Sequence, residues 1–263
     1  MTLRTPAAIV AIVLMLSAVS VVAADTATSF AEDQYYILSL GPLAAEVDSI
    51  RTTAQTAGFS VIAYDGNIPQ AFRAGLESPL DGANSVLSDE RLLLVDGDRL
   101  FLRQIGEQFT FTVRRSETAY ELVVDPHEDL PISDVLGTVL GILQPLGILG
   151  NEANVDIQAY AKDDLKGPAA PSDAAMESTL YGLRVARDWF AHAAAKQLEL
   201  IGLRVEVVAE MVPDASLEAT FEPYVVEDAI GLIKFSLPID QLLPLARSAA
   251  VAYLRPPYRP SIP

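Results

Sequence analysis

The chain has 263 residues, enough to bury one large hydrophobic core or two modest ones. About half of them are apolar (51%) and a fifth (20%) are charged, so burial can offset the entropy of ordering, and wholesale disorder is excluded. With 18 Lys and Arg against 35 Asp and Glu, the formal charge is −17. That excludes nucleic acid as a partner, because a phosphate backbone is bound by neutralising it.

Four basic residues are lysines (Lys162, Lys166, Lys196 and Lys234) and the rest are arginines. Two causes fit: a carboxylate surface adapted to high salt, or a genome that encodes Arg in place of Lys. Without cysteine there is no disulfide, thiolate metal site or Cys nucleophile, and stability must come from the core.

Arg4, the apolar run from Pro6 to Val22 and the small residues before Asp25 predict a signal peptide over residues 1–24. The run falls short of the ~20 residues a spanning helix needs, which favours cleavage. The membrane is then a partner only through this segment, if it stays uncleaved. The mature protein is expected to be periplasmic or extracellular.

QYYILSLG from Gln34 reads as a buried strand, and Pro42 to Ala57 as a helix with Leu43, Val47, Ile50, Ala54 and Ala57 on one face. Gly58 ends it, and FSVIAYDG returns as a strand, giving a β-α-β unit. A short helix is expected near Gln70–Glu77. Asp96-Gly97 between apolar runs predicts a hairpin. FTFTVRR and the run through Tyr120, Leu122 and Val124 alternate as strands, followed by a helix over Ser133–Gln144 and a strand over Val155–Ala161. Residues 162–175 have linker composition. One long helix is predicted over Met176–Ile201, ended by Gly202, then strands over LRVEVVAEM, LEATFE (217–222) and GLIKFSL. DQLLPLARS closes as a helix and VAYLR as a strand. Leu-Pro-Ile occurs at 130–132 and at 237–239, each time between a strand and a Leu-rich helix, which raises the question of duplication.

The expected fold class is α/β (α+β): two ferredoxin-like sheet-and-helix modules, 34–161 and 176–255, joined by 162–175. Four prolines among the last eight residues predict an extended tail over 256–263.

Candidate sites are few. Hydroxyl nucleophiles need a base, and there are two histidines, His127 and His192, with no Gly-x-Ser-x-Gly elbow. No catalytic residue and no cofactor are assigned. Asp125, His127, Glu128 and Asp129 offer one imidazole and three carboxylates for a metal, against the plainer reading of an acidic loop ahead of a helix N-terminus. Trp189, Phe190 and Tyr181 could line a pocket, but aromatics on a helix more often form core. Tyr253, Arg255, Pro256, Pro257, Tyr258 and Arg259 are candidate partner-binding residues, a docking strap at the chain's end.

Two stretches carry a resemblance. SLPIDQLLPLARSAAVAYLRPPYRP (236–260), within Leu203–Pro263, resembles the region upstream of the catalytic domain in secreted subtilisin-like peptidases. It implies a propeptide-like inhibitor or chaperone with a subtilisin-like protease as partner. No peptidase residue carries over. QYYILSLGPLAAEVDSIRTTAQTAGFSVIAYDG (34–66) looks like the first half of a SPOR domain, on Tyr36 to Gly41 and Ala57-Gly58-Phe59, which implies peptidoglycan as partner. The expected function is therefore a non-catalytic interaction module of the envelope or extracellular space. The alternatives are a glycan-binding protein and an acid-dependent hydrolase.

Overall fold

The computed structural model describes residues 29–64, 89–149, 157–162 and 169–257. The signal peptide expected over residues 1–24, the helix expected near Gln70–Glu77, Tyr258 and Arg259 lie outside these residues.

β1 (Ser29–Phe30) leads to β2 (Gln34–Gly41), whose Tyr36, Leu38 and Leu40 face one core and Tyr35 and Ile37 the opposite side. Both faces are buried, which explains its unbroken apolar run. α1 (Val47–Thr56) begins five residues later than Pro42, because Glu46 holds an extended N-cap at ψ 142°. Gly58, at φ 84°, closes it, and β3 (Ser60–Tyr64) follows. The meander β4 (Arg91–Asp96), β5 (Arg99–Ile105), β6 (Phe109–Arg115) and β7 (Tyr120–Pro126) comes next. The first hairpin turns on Gly97-Asp98, one residue beyond the expected Asp96-Gly97, since Asp96 pairs with Arg99 and Gly97 takes the positive φ.

After β8 (Leu130–Pro131), which pairs with β1, come α2 (Ile132–Leu143) and β9 (Ile157–Ala161). The first sheet runs β3-β4-β5-β6-β7-β2-β9, and only β3–β4 is parallel. The β-α-β crossover exists, but four strands stand between its two. The tight turns of the meander keep β4 to β7 together as neighbours.

The predicted long helix is two helices. α3 (Ser178–Val185) stops where Ala186 turns extended at ψ 141°. α4 (Trp189–Lys196) restarts on Asp188, whose Oδ1 accepts the Phe190 and Ala191 N–H groups. Gln197, left-handed at φ 56°, ends α4, while Gly202 serves the turn between β10 (Leu200–Ile201) and β11 (Arg204–Met211). LEATFE is irregular and runs into a 3-10 turn at Glu222–Tyr224. The strand there is β12 (Val225–Ala229), joined to β13 (Leu232–Pro238) across Ile230-Gly231. A 3-10 turn, Ile239–Gln241, leads into α5 (Leu242–Arg247) and β14 (Val251–Arg255). The second sheet is β10-β11-β13-β12 with β14 also on β11, so the parallel strands β13 and β14 flank β11.

The protein is mixed α+β, and the described elements of neither unit run β-α-β-β-α-β as the ferredoxin-like expectation has it. Leu-Pro-Ile plays the same local part twice: Pro131 and Pro238, at ψ 130° and 140°, each precede a helical turn, while the sheets around them differ.

Leu93, Val95, Leu100 and Leu102 pack with α1 and α2 in one core. The opposite residues of the same strands, Leu92, Leu94 and Phe101, join α3, α4, α5 and the inner face of the second sheet in another. The two units thus share a core. Part of the predicted linker belongs to it: Ala174 is buried, and Ala175 exchanges backbone hydrogen bonds with Ala246 and Leu254. Arginines tie the seam. Arg204 grips Asp96 at 2.7 and 2.8 Å, and Arg99 meets Asp240 at 2.8 Å. The fully buried Arg114 donates to the Val185 and Ala186 carbonyls at the end of α3, its guanidinium 5.1 Å from the Trp189 ring centre. Among the described residues no helix is long and apolar enough to cross a membrane.

Candidate functional site

Asp125, His127, Glu128 and Asp129 gather at one end of the first sheet, where the β5–β6 turn meets the loop after β7. Each has a separate partner. Asp125 holds Lys162 at 2.6 Å and Arg187 at 3.3 Å. The His127 ring is engaged at both nitrogens: Nδ1 with the Glu107 carbonyl at 2.9 Å and Nε2 with the Thr110 hydroxyl at 3.3 Å. That network assigns Nδ1 as the donor. Glu128 accepts from Gln108 at 2.9 Å, and Asp129 from the Glu32 N–H at 3.0 Å. Among the described residues no three His, Asp or Glu side chains are placed to hold a metal ion. The four candidates pin the loop to its neighbours. A cavity of about 370 Å³ lies beside the same turn, lined by Gln104, Phe109, Phe111 and Thr138, with the exposed Glu107 as its ionisable group.

The aromatic candidates are core. Trp189 is 3% exposed, donates from Nε1 to the Arg184 carbonyl at 3.2 Å, and packs 5.5 Å from Phe101. Phe190 meets the same Phe101 ring edge-on. Tyr120 is likewise structural: its hydroxyl donates to the Asp98 carbonyl at 3.0 Å, and burial pushes its pKa up to about 12.

The C-terminal candidates reach a different kind of surface. Along β11, Val205, Val207 and Ala209 face the core, so Glu206, Val208 and Glu210 point the other way. In register with that outer row stand Leu232 and Lys234 of β13, and Tyr253 and Arg255 of β14. Leu232, Glu210 and Tyr253 form one rung across three strands. Arg255 closes on Glu210 at 3.0 Å and Lys234 on Glu206 at 2.9 Å. These pairs hold the charged heads of the face while its apolar members stay open. Tyr253 is 38% exposed, Leu232 40%, Val212 36% and Ile230, at the hairpin tip, 106%. Gly231 accepts from the Met211 N–H at 2.9 Å, which brings that tip beside Val212. Pro256 and Pro257 continue from β14, half-buried.

The structure therefore brings Tyr253 and Arg255 together on one face and adds Val212, Ile230 and Leu232, which the sequence reading missed. The signal was present: Leu232 and Lys234 alternate with the buried Ile233 and Phe235, and Ile230-Gly231 is a two-residue turn. No protein family, curated protein or solved structure matches the chain.

Proposed function

We propose that this chain is an exported, non-catalytic interaction module that engages a protein partner through the outer face of its second sheet. One observation carries the reading. Of the five large apolar side chains exposed among the described residues, four (Val212, Ile230, Leu232 and Tyr253) stand together at one end of that sheet. Single exposed apolar residues are ordinary, whereas a cluster rimmed by ion pairs has the composition of a contact surface. The cluster lies within residues 203–263, the stretch that resembles the propeptide-like region of subtilisin-like peptidases, and this makes such a peptidase the partner of choice.

Adding the purified mature chain to a subtilisin-like peptidase should slow hydrolysis of a peptide substrate. Ile230→Lys combined with Tyr253→Ala should weaken that inhibition about tenfold or more, since centrally placed aromatic and apolar anchors dominate such interfaces. An unchanged rate at micromolar excess of the chain would overturn the inhibitor reading.

A further inference from the structure

β9 is the last strand of the first sheet and pairs with β2 alone. Just beyond it the Lys162 N–H donates to the Asp33 carbonyl at 3.0 Å, and these two residues continue the β9–β2 register. In an antiparallel ladder, directly bonded pairs alternate with unbonded ones. Tyr160 and Gln158 therefore direct their backbone groups at β2, while those of Ile157, Ala159 and Ala161 point away from the sheet. Among the described residues these outward groups meet no hydrogen-bond partner. Gln158, Ala159 and Ala161 are exposed, so this side of the strand is reachable from solvent.

An open edge is a template for another strand, and proteins blunt theirs with charge, proline, a bulge or a cover. The other longer edge strands follow that rule. β12 carries Glu227 and Asp228 and shifts register between Val225 and Glu227. β14 is covered by residues 175–177, through backbone bonds from Leu254 to Ala175 and from Glu177 to Leu254. β3 is at least partly buried at four of its five residues. β9 reads IQAYA: no charge, proline or glycine, and a regular register over all five residues. The adjoining Lys162 does not guard it, because its ammonium reaches inward to Asp125 and the Pro126 carbonyl.

We propose that β9 is a self-association edge, through which two copies of this chain pair antiparallel about a twofold axis at Ala159. The register is in phase. Ala159 faces its own counterpart as a bonded pair and Ile157 faces Ala161 in both directions, for up to about six backbone hydrogen bonds. The identical side chains that meet on the axis are small. Gln158 falls beside the Tyr160 of the second copy, whose ring stacks on Tyr35 at 5.2 Å. Each copy carries a formal charge of −17, yet no charged side chain of β9 opposes its counterpart. The same neutrality gives the strand nothing with which to select a charged foreign segment. Five residues a side make a small interface, so the dimer is weak and reversible.

Sedimentation equilibrium of the full mature chain, taken up to about 1 mM, should show the mass climbing toward that of a dimer. The rise should be steeper at about 0.5 M than at about 0.05 M salt, because salt screens the repulsion between two acidic bodies. The chain has no cysteine, so Ala159→Cys has only its own counterpart to bond. A bonded antiparallel pair holds its Cα atoms about 5.5 Å apart, within disulfide reach. Mild oxidation should therefore crosslink this variant far faster than Gln55→Cys, exposed on α1. Ala159→Pro removes an N–H that the fold does not use, and should weaken association about tenfold or more at an unchanged urea midpoint. Should that variant fail to fold, Ala159→Lys, which sets two like charges face to face, decides. A wild type that stays monomeric to about 1 mM at high salt overturns the proposal. So does association undiminished in Ala159→Lys, or crosslinking of Ala159→Cys no faster than that of Gln55→Cys.

Discussion

Gly182 of α3 meets the half-buried His192 of α4, and the contact sets two expectations. A Cβ built on Gly182 of α3 would lie 3.0 Å from Cε1 of the His192 ring, whereas one on Gly137 of α2 meets nothing within 4 Å. Replacing a helical glycine by alanine ordinarily gains about 0.5–1 kcal/mol by restricting the unfolded chain. Gly137→Ala should show that gain as a higher urea midpoint. Gly182→Ala should show none, or a loss, because the ring must leave the Thr179 carbonyl that it faces at 3.3 Å. The same histidine gives a pH dependence. Burial holds its pKa below the ordinary 6.5, Lys196 adds to the effect and the Thr179 contact opposes it. The unfolded chain therefore takes up this proton at higher pH than the fold does. The contribution is complete above pH 6.5, the unfolded value, and diminishes as pH falls toward the folded value. His192→Gln should remove that slope, read as the difference between variant and wild-type urea midpoints across about pH 7.5 to 5.

At the level of the element, the break between α3 and α4 depends on Asp188, which caps α4 through two N–H groups. Asp188→Ala should cost about 1 kcal/mol, within the 0.5–2 range of lost N-caps, and Asp188→Asn much less, as measured by chemical denaturation. The contrast between the two variants separates capping from the long-range pull on Arg103. This break also marks where reading the sequence stopped short. Leu183, Ala186, Phe190, Ala194 and Leu198 keep one helical stripe through it, so periodicity alone joined two helices into one. Asp188 was the local cap signal, and Arg114, remote in sequence, is what meets the Val185 and Ala186 carbonyls exposed by the break. Strands with clean alternation or long apolar runs, such as β2, β6, β7, β11 and β14, were legible residue by residue. β12 was not, because only its first two residues are even partly buried, Val225 against the core, and the exposed Glu-Asp-Ala that follows carries no period of two. Strand order was hidden for a related reason: pairing of β7 with β2 joins residues about 80 positions apart, and no local pattern encodes it. At the candidate site, Tyr253 and Arg255 could be found from a motif, but their neighbours Val212, Ile230 and Leu232 come from other strands and meet them only through the fold.

For the molecule as a whole, the preference for arginine over lysine acquires a structural meaning. Each seam pair, whether Arg204–Asp96, Arg99–Asp240, Arg184–Glu117 or Arg247–Glu117, uses a guanidinium to bridge the two units. Arg204–Asp96 is the most buried, at 6% and 1% side-chain exposure, with the guanidinium 5.6 Å from the Tyr224 ring centre. Bringing both charges out of water offsets much of their attraction, so the pair adds little net stability, but losing one partner strands the other in the core. Arg204→Met should therefore cost about 3–5 kcal/mol, while Asp96→Leu with Arg204→Met should recover most of that loss. If the seam and the shared core make the units one cooperative body, urea should unfold the wild type and the double variant in a single transition, followed equally by the Trp189 signal and by circular dichroism. Two transitions in the wild type would mean that Leu92, Leu94 and Phe101 do not couple the first sheet to the second, despite lying in the same core. One transition that splits only in Arg204→Met would place the coupling in the buried ion pair itself.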